Sequence, residues 1–208
     1  MSAVPEFVYF DLGKVLLGFS HEHACSQVAK VAGVPFEKVR EFFTPEQSLN
    51  RLEKGQVSVA ELYEEFCQTF ACRPDMDELS RAGSDIFCLN AEIVPLVAQL
   101  SAAGVRLGIL SNTSEPHWQF VTDGRYRVVA DFFEVHALSF EIGEMKPARL
   151  IYDKAAEMAG VAPERIFFTD DRPENVAGAV AAGWSAVQFT STNALAAALR
   201  ATGLKFNF

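Results

Sequence analysis

The chain has 208 residues, 50% of them hydrophobic and 22% charged, with a formal net charge of −9. That composition is globular, and its sign argues against nucleic acid or an anionic membrane as partner, so an anionic substrate would need a local positive site. Its apolar runs fall well short of the about 20 residues that span a bilayer, and the opening "MSAVPEF" has no basic segment followed by an apolar one, so the cytoplasm is the expected location.

In chain order, residues 7 to 12 form an apolar, β-favouring stretch that carries Asp11 near its end. Residues 20 to 90 follow with helical periodicity and no convincing strand. "HEHACSQVAKVAG", "PFEKVREFF", "VSVAELYEEFCQTF" and "DMDELSRAGSDIF" space their apolar residues by three and four, and Gly33, Pro35, Gly55 and Pro74 break them. This predicts an inserted bundle of four or five helices over residues 19–89. Cys25, Cys67, Cys72 and Cys88 all fall inside it without paired metal spacing, and read as reduced core thiols.

From residue 90 onward the pattern alternates. Strand-like segments at 104 to 110, 133 to 138, 165 to 169 and 184 to 189 lie among the helical stretches "NAEIVPLVAQLSAAG", "PARLIYDKAAEMAG", "RPENVAGAVAAG" and "STNALAAALRATG". Strands and helices in that order predict βαβ units around a parallel sheet, an α/β three-layer Rossmannoid core built from residues 1–18 and 90–208. Ligands of such sheets sit at the carboxyl ends of the strands. There the sequence places Asp11 after the first strand, Ser111-Asn112-Thr113 after the second, Lys146-Pro147 after the third and Asp170-Asp171 after the fourth.

A carboxylate, a hydroxyl, a lysine and two further acids suit phosphoryl transfer to an aspartate. The transferred group is anionic and is stabilised by cations and donors already in position. Asp11 as nucleophile would repel that anion, so a divalent cation held by Asp170 and Asp171 is expected, and Mg²⁺ fits an all-oxygen site. Asp170-Asp171 could also cap the helix that starts near Pro173.

The segments "VYFDLGKVL", "GILSNT", "EMKPARLIYDKA" and "RIFFTDDRPENVAGAVAAGW" resemble, in order, the four motifs of the haloacid dehalogenase (HAD) superfamily. The helical insertion looks like its C1 cap. "DLG" and "SNTSEPHW" look most like bacterial phosphatases acting on α-glucose 1-phosphate and similar sugar phosphates. The resemblance implies Asp11 as nucleophile and Mg²⁺ ligand, and Gly13 as a backbone-carbonyl ligand. It implies Asp171 as a direct ligand, Asp170 as a ligand or holder of a bound water, and Asn175 as a brace. Ser111 and Asn112 would bind phosphate, and Lys146 both phosphate and Asp11.

Gly13 departs from the pattern, since a second aspartate there normally protonates the leaving alcohol and then activates water. Loss of such help costs about 10²–10⁴-fold, so the expectation is a slower phosphatase suited to leaving groups that need little protonation, such as sugar 1-phosphates. Lys14 is read as a solvated rim lysine. His117 is a candidate substrate contact beside Trp118; His21, His23, Arg149 and Arg172 are substrate contacts or plain surface residues. The expected partner is a small phosphorylated metabolite, and the expected state a monomer or homodimer. The alternatives are a metal-independent 2-haloacid dehalogenase, against which the paired acids argue, and a catalytically weak sensor of a phosphorylated metabolite.

Overall fold

The structure is a computed structural model and describes residues 4–44 and 48–208. The chain opens with β1 (Phe7–Phe10) and β2 (Leu17–Phe19). It continues through α1 (His21–Ala32), α2 (Phe36–Phe42), α3 (Asn50–Glu53), α4 (Val59–Phe70) and α5 (Met76–Ser84) to β3 (Phe87–Leu89). Then come α6 (Val94–Ala102), β4 (Arg106–Ser111), α7 (Glu115–Thr122), α8 (Arg127–Phe132), β5 (Val135–Leu138) and α9 (Ser139–Ile142). The rest comprises α10 (Arg149–Ala159), β6 (Ile166–Asp170), α11 (Pro173–Ala181), β7 (Ser185–Gln188) and α12 (Thr192–Ala201).

Five strands form one parallel sheet in the order β5-β4-β1-β6-β7. β1 is central, with Phe7 opposite Arg106 on one side and Ile166 on the other. Its four residues are fully buried because alternate side chains enter opposite layers. Val8 and Phe10 pack with Leu96, Val97, Val121, Leu195 and Leu199 from α6, α7 and α12. Phe7 and Tyr9 pack with Ile151, Tyr152, Ala155 and Ala179 from α10 and α11. Each fully buried Val, Leu, Ile or Phe contributes roughly 1.5–3 kcal/mol. The alternating pattern of the second half thus folds as a three-layer α/β core, and its apolar strand runs are explained by burial on both faces.

Helices α1 to α5 lie between β2 and β3, and Val28, Val39, Phe66 and Leu79 form a separate apolar cluster among them. Local signals set the helix ends. Ser58 and Glu61 make a reciprocal capping box at the start of α4, Asp75 accepts from the Glu78 N–H at α5, and Gly33 closes α1 in the left-handed region. β2 and β3 pair antiparallel, Phe19 opposite Phe87, and form a two-stranded stem. This corrects the reading of residues 20 to 90 as strand-free, and it also moves Cys88 out of the core. Cys88 lies exposed on β3, whereas Cys25 and Cys67 are buried. A three-residue strand is too short to show alternation. Among the described residues no helix is long and apolar enough to cross a membrane.

Candidate active site

The carboxyl ends of β1, β4 and β6 meet at the middle of the sheet, and Lys146 joins them. Its ammonium donates to Asp11 Oδ1 at 2.8 Å, to Asp170 Oδ2 at 2.7 Å and to the Leu110 carbonyl at 2.8 Å. An ammonium has three protons, so all are spent inside the protein. The Lys146 side chain is 1% exposed, Asp170 0% and Asp11 10%. Asp11 Oδ1 also accepts from the Leu12 N–H at 2.8 Å, whereas Oδ2 has no partner among the described residues. Asp170 is held on both oxygens. Besides Lys146, its oxygens accept from the Arg172 N–H at 2.9 Å and from Asn175 Nδ2 at 3.0 Å each.

Asp11, Asp170 and Asp171 each offer an oxygen, and these oxygens lie within 4.8 Å of one another. Three carboxylates thus face one ammonium. Burial pushes the Asp11 carboxyl well above the usual carboxylate range; Lys146 pulls against that, and Asp170 and Asp171 add to it. Asp171 is raised by burial and by Asp170. For Lys146, burial opposes the charge, but Asp11 and Asp170 outweigh it and hold the ammonium above its ordinary range. Such an excess of clustered, partly dehydrated acid oxygens is the donor set of a hard divalent cation.

A family model described as haloacid dehalogenase-like hydrolase matches residues 10–183. This chain belongs to that family. A HAD family enzyme from Bacteroides thetaiotaomicron, solved in complex with magnesium and inorganic phosphate, is 26% identical with a TM-score of 0.78, over 88% of this chain and 93% of the other. A HAD-like family hydrolase from Porphyromonas gingivalis is 25% identical with a TM-score of 0.79, over 95% and 99%. An L-2-haloacid dehalogenase from Xanthobacter autotrophicus, 20% identical with a TM-score of 0.62 over 95% and 83%, shares the fold.

In this HAD-like hydrolase the remaining candidates separate. Ser111 is buried at the end of β4, its hydroxyl facing the Asn112 carbonyl at 3.3 Å. Asn112 spends its side-chain amide on the Lys146 backbone: Oδ1 accepts from the Lys146 N–H at 2.8 Å and Nδ2 donates to the Lys146 carbonyl at 3.0 Å. It positions the lysine. Asn175 braces Asp170, and Tyr152 holds the Asn175 carbonyl at 2.7 Å. His117 is set back, its Nε2 paired with the Gly83 carbonyl of α5 at 3.3 Å. Lys14 is exposed and donates to the Phe19 carbonyl at 2.7 Å, and His23 is exposed. Arg149 pairs with Asp153 on the outer face of α10, which removes it from the mouth, and Arg172 pairs with Glu174.

Gly13 has a steric reason. A Cβ at this position would lie 2.7 Å from Cε1 of Phe19, so the aromatic ring fills the space a side chain would need. Three residues escaped the sequence reading. Ser139, after β5, accepts from the Thr113 N–H and donates to its carbonyl, both at 3.0 Å, and so pins the loop after Ser111. Ser114 is buried with its hydroxyl unpartnered. Glu53, at the end of α3, lines a cavity of about 110 Å³ between helices α1, α3, α4 and α5 and the start of α7. Val28, Leu52, Leu62, Phe66 and Leu79 give that cavity an apolar lining; Glu53, Ser114, His117, His21 and Tyr63 are among its polar members. Burial pushes Glu53 up to about 7, against the pull of Lys146 and Arg172. Burial likewise pushes His117 down to about 4. In the sequence Glu53 is one charge in the polar stretch "NRLEKGQ", and only Gly55 nearby hints at a close approach.

Proposed function

We propose that this chain is a Mg²⁺-dependent phosphatase of small phosphorylated metabolites, working through an aspartyl phosphate on Asp11. The observation that carries the reading is the asymmetry of Asp11, which lies beside Asp170 and Asp171 with Oδ1 held by Lys146 and Leu12 and Oδ2 without a partner among the described residues. An oriented carboxylate with one oxygen available is a positioned nucleophile. The magnesium and phosphate bound by the relative from Bacteroides thetaiotaomicron support the choice of ion and substrate class.

Asp11, Asp171 and Asp170 are the side chains that would hold Mg²⁺, with the Gly13 carbonyl as a further ligand. The ion would offset the mutual repulsion of carboxylate and phosphate. Asp11 Oδ2 attacks phosphorus; Lys146 holds the carboxylate in line and keeps its charge from spreading; the Ser111 hydroxyl turns from the Asn112 carbonyl to a phosphate oxygen. Water then hydrolyses the aspartyl phosphate and restores Asp11. Domain roles follow: the core, 1–18 and 90–208, binds phosphate, and the inserted helices, 19–89, cover the leaving group.

The substrates proposed are esters whose alcohol leaves readily, with sugar 1-phosphates foremost. The apolar lining of the cavity limits this choice, since a sugar would have to meet its hydroxyls on Glu53, Ser114, His117 and Tyr63. A panel of sugar 1-phosphates, sugar 6-phosphates and aryl phosphates tests it. Turnover that needs Mg²⁺ and favours 1-phosphates over 6-phosphates is expected, and a wide preference for 6-phosphates refutes the leaving-group argument. Halide release from a 2-haloacid without metal refutes the reading as a whole.

A further inference from the structure

Cleavage of an alkyl phosphate needs a proton delivered to the departing oxygen, and hydrolysis of the aspartyl phosphate a proton taken from the attacking water; residue 13 supplies neither. The Phe19 ring stands where a side chain of residue 13 would start. Other proton carriers nearby are committed elsewhere. Lys14 donates to the Phe19 carbonyl at 2.7 Å, Tyr63 donates to the Pro74 carbonyl at 2.7 Å, and His117 is paired with the Gly83 carbonyl. His21 has no such partner among the described residues; it stands edge-on against Phe19 with ring centroids 5.0 Å apart, and burial and Lys14 disfavour its charged form.

Glu53 is placed differently. The turn that follows it is fastened to the core loop carrying the site lysine: Lys54 pairs with Glu144 at 2.6 Å, two residues before Lys146. Gly55, at φ +63°, presses so closely on the Phe140 carbonyl that a Cβ would stand 2.3 Å from it. Only glycine tolerates both the angle and the contact. These two contacts hold the end of α3 against the segment that runs from the end of β5 to Lys146. There Glu53 is near enough to Lys146 and Arg172 for their charges to act on it and lines the cavity beside Ser114 and His117, and its carboxylate makes no hydrogen bond or ion pair with any described residue.

We propose that Glu53 is the acid and base of the reaction, giving its proton to the leaving oxygen and later taking one from the hydrolytic water. The proposal rests on the phosphatase reading. In the first step Asp11 Oδ2 bonds to phosphorus, the bond from phosphorus to the ester oxygen breaks, and that oxygen takes the Glu53 proton and departs as the alcohol. In the second, water bonds to phosphorus, its proton passes to the Glu53 carboxylate, and the bond from phosphorus to Asp11 breaks. Inorganic phosphate leaves, and both carboxyl groups return to their starting forms. A group that must give and then take a proton works best when both forms are populated near the working pH. Burial places Glu53 there, at about 7, while Lys146 and Arg172 keep it from rising further. The other titratable groups around its cavity are His21, Cys25, Tyr63 and His117, and the neighbouring Lys54 is neutralised by Glu144.

The test compares wild type with Glu53→Gln on an aryl phosphate, whose phenolate leaves without a proton, and on a primary alkyl phosphate. Wild type should turn over both in Mg²⁺. For the variant, kcat on the alkyl ester should fall about 10²–10⁴-fold with KM little changed. Its burst of phenolate from the aryl ester should persist while steady-state turnover slows, and the limb of the pH profile near neutrality should vanish. Formate added to Glu53→Ala should restore part of the alkyl rate. A melting curve for each variant reports folding. An unchanged kcat, or a change in KM alone, overturns the role of Glu53 and leaves the phosphatase standing. No wild-type turnover of either ester overturns the phosphatase reading and this role with it.

Discussion

Lys146→Met is the perturbation that most directly probes how the site is held. The methionine keeps the length of the stem and removes an ammonium that donates to Asp11, Asp170 and the Leu110 carbonyl. Because the partners are 10% and 0% exposed, solvent cannot replace it. Stripping one partner from a buried ion pair costs roughly 3–5 kcal/mol, and the orphaned carbonyl lies within that sum. For a chain of this size the melting temperature should fall by roughly 6–20 °C. The sign with pH is also set. Burial already raises the Asp11 carboxyl and Lys146 holds it down, so without the lysine the folded state carries a more strongly raised carboxyl. A raised acid keeps its proton when folded and loses stability as pH climbs through the folded value. The deficit of the variant should therefore be largest at alkaline pH, shrink on acidification and recover in part with Mg²⁺. Denaturant melts of both proteins across the mildly acidic to mildly alkaline range read all three. A deficit under about 1 kcal/mol, or one that ignores pH, would refute the buried-network argument.

Gly13→Asp should not improve the enzyme: its Cβ meets Phe19 at 2.7 Å, the strain should cost about 1–3 kcal/mol, and thermal melts should show Phe19→Ala relieving it. His117, pushed down to about 4 by burial, is held neutral in the fold; acidification from its unfolded value toward pH 4 should cost at most about 3 kcal/mol, and His117→Gln should flatten that slope in pH-dependent melts. Mg²⁺ should raise the melting temperature of wild type, and Asp171→Asn should reduce that shift; an equal shift in the variant would remove Asp171 from the metal site.

The three central strands, β1, β4 and β6, were readable because each carries an apolar run that stops at a polar residue, at Asp11, Ser111 and Asp170. The helices α1, α4 and α5 were readable because their apolar spacing is bounded by caps such as Ser58 and Asp75 and by Gly33. The stem of β2 and β3 was not, since "LGF" and "FCL" are too short to carry a period. The four acid and lysine positions were visible as strand-end residues, but their division of labour was not. That the Asn112 side-chain amide is engaged by Lys146, and that Lys146 spends every proton on the protein, are facts of three-dimensional placement. Glu53 was hidden for the same reason: a glutamate beside a lysine reads as solvated surface until Lys54 and Gly55 dock it on the core.

The central claim is that Asp11 performs metal-assisted phosphoryl transfer, and one measurement reaches it directly: release of nitrophenol from p-nitrophenyl phosphate by wild type and by Asp11→Asn, each with Mg²⁺ and with chelator. The account predicts turnover by wild type in Mg²⁺ alone, and none by a variant that melts as a folded protein. Turnover by Asp11→Asn near the wild-type rate, or a wild-type rate that survives the chelator, would contradict it.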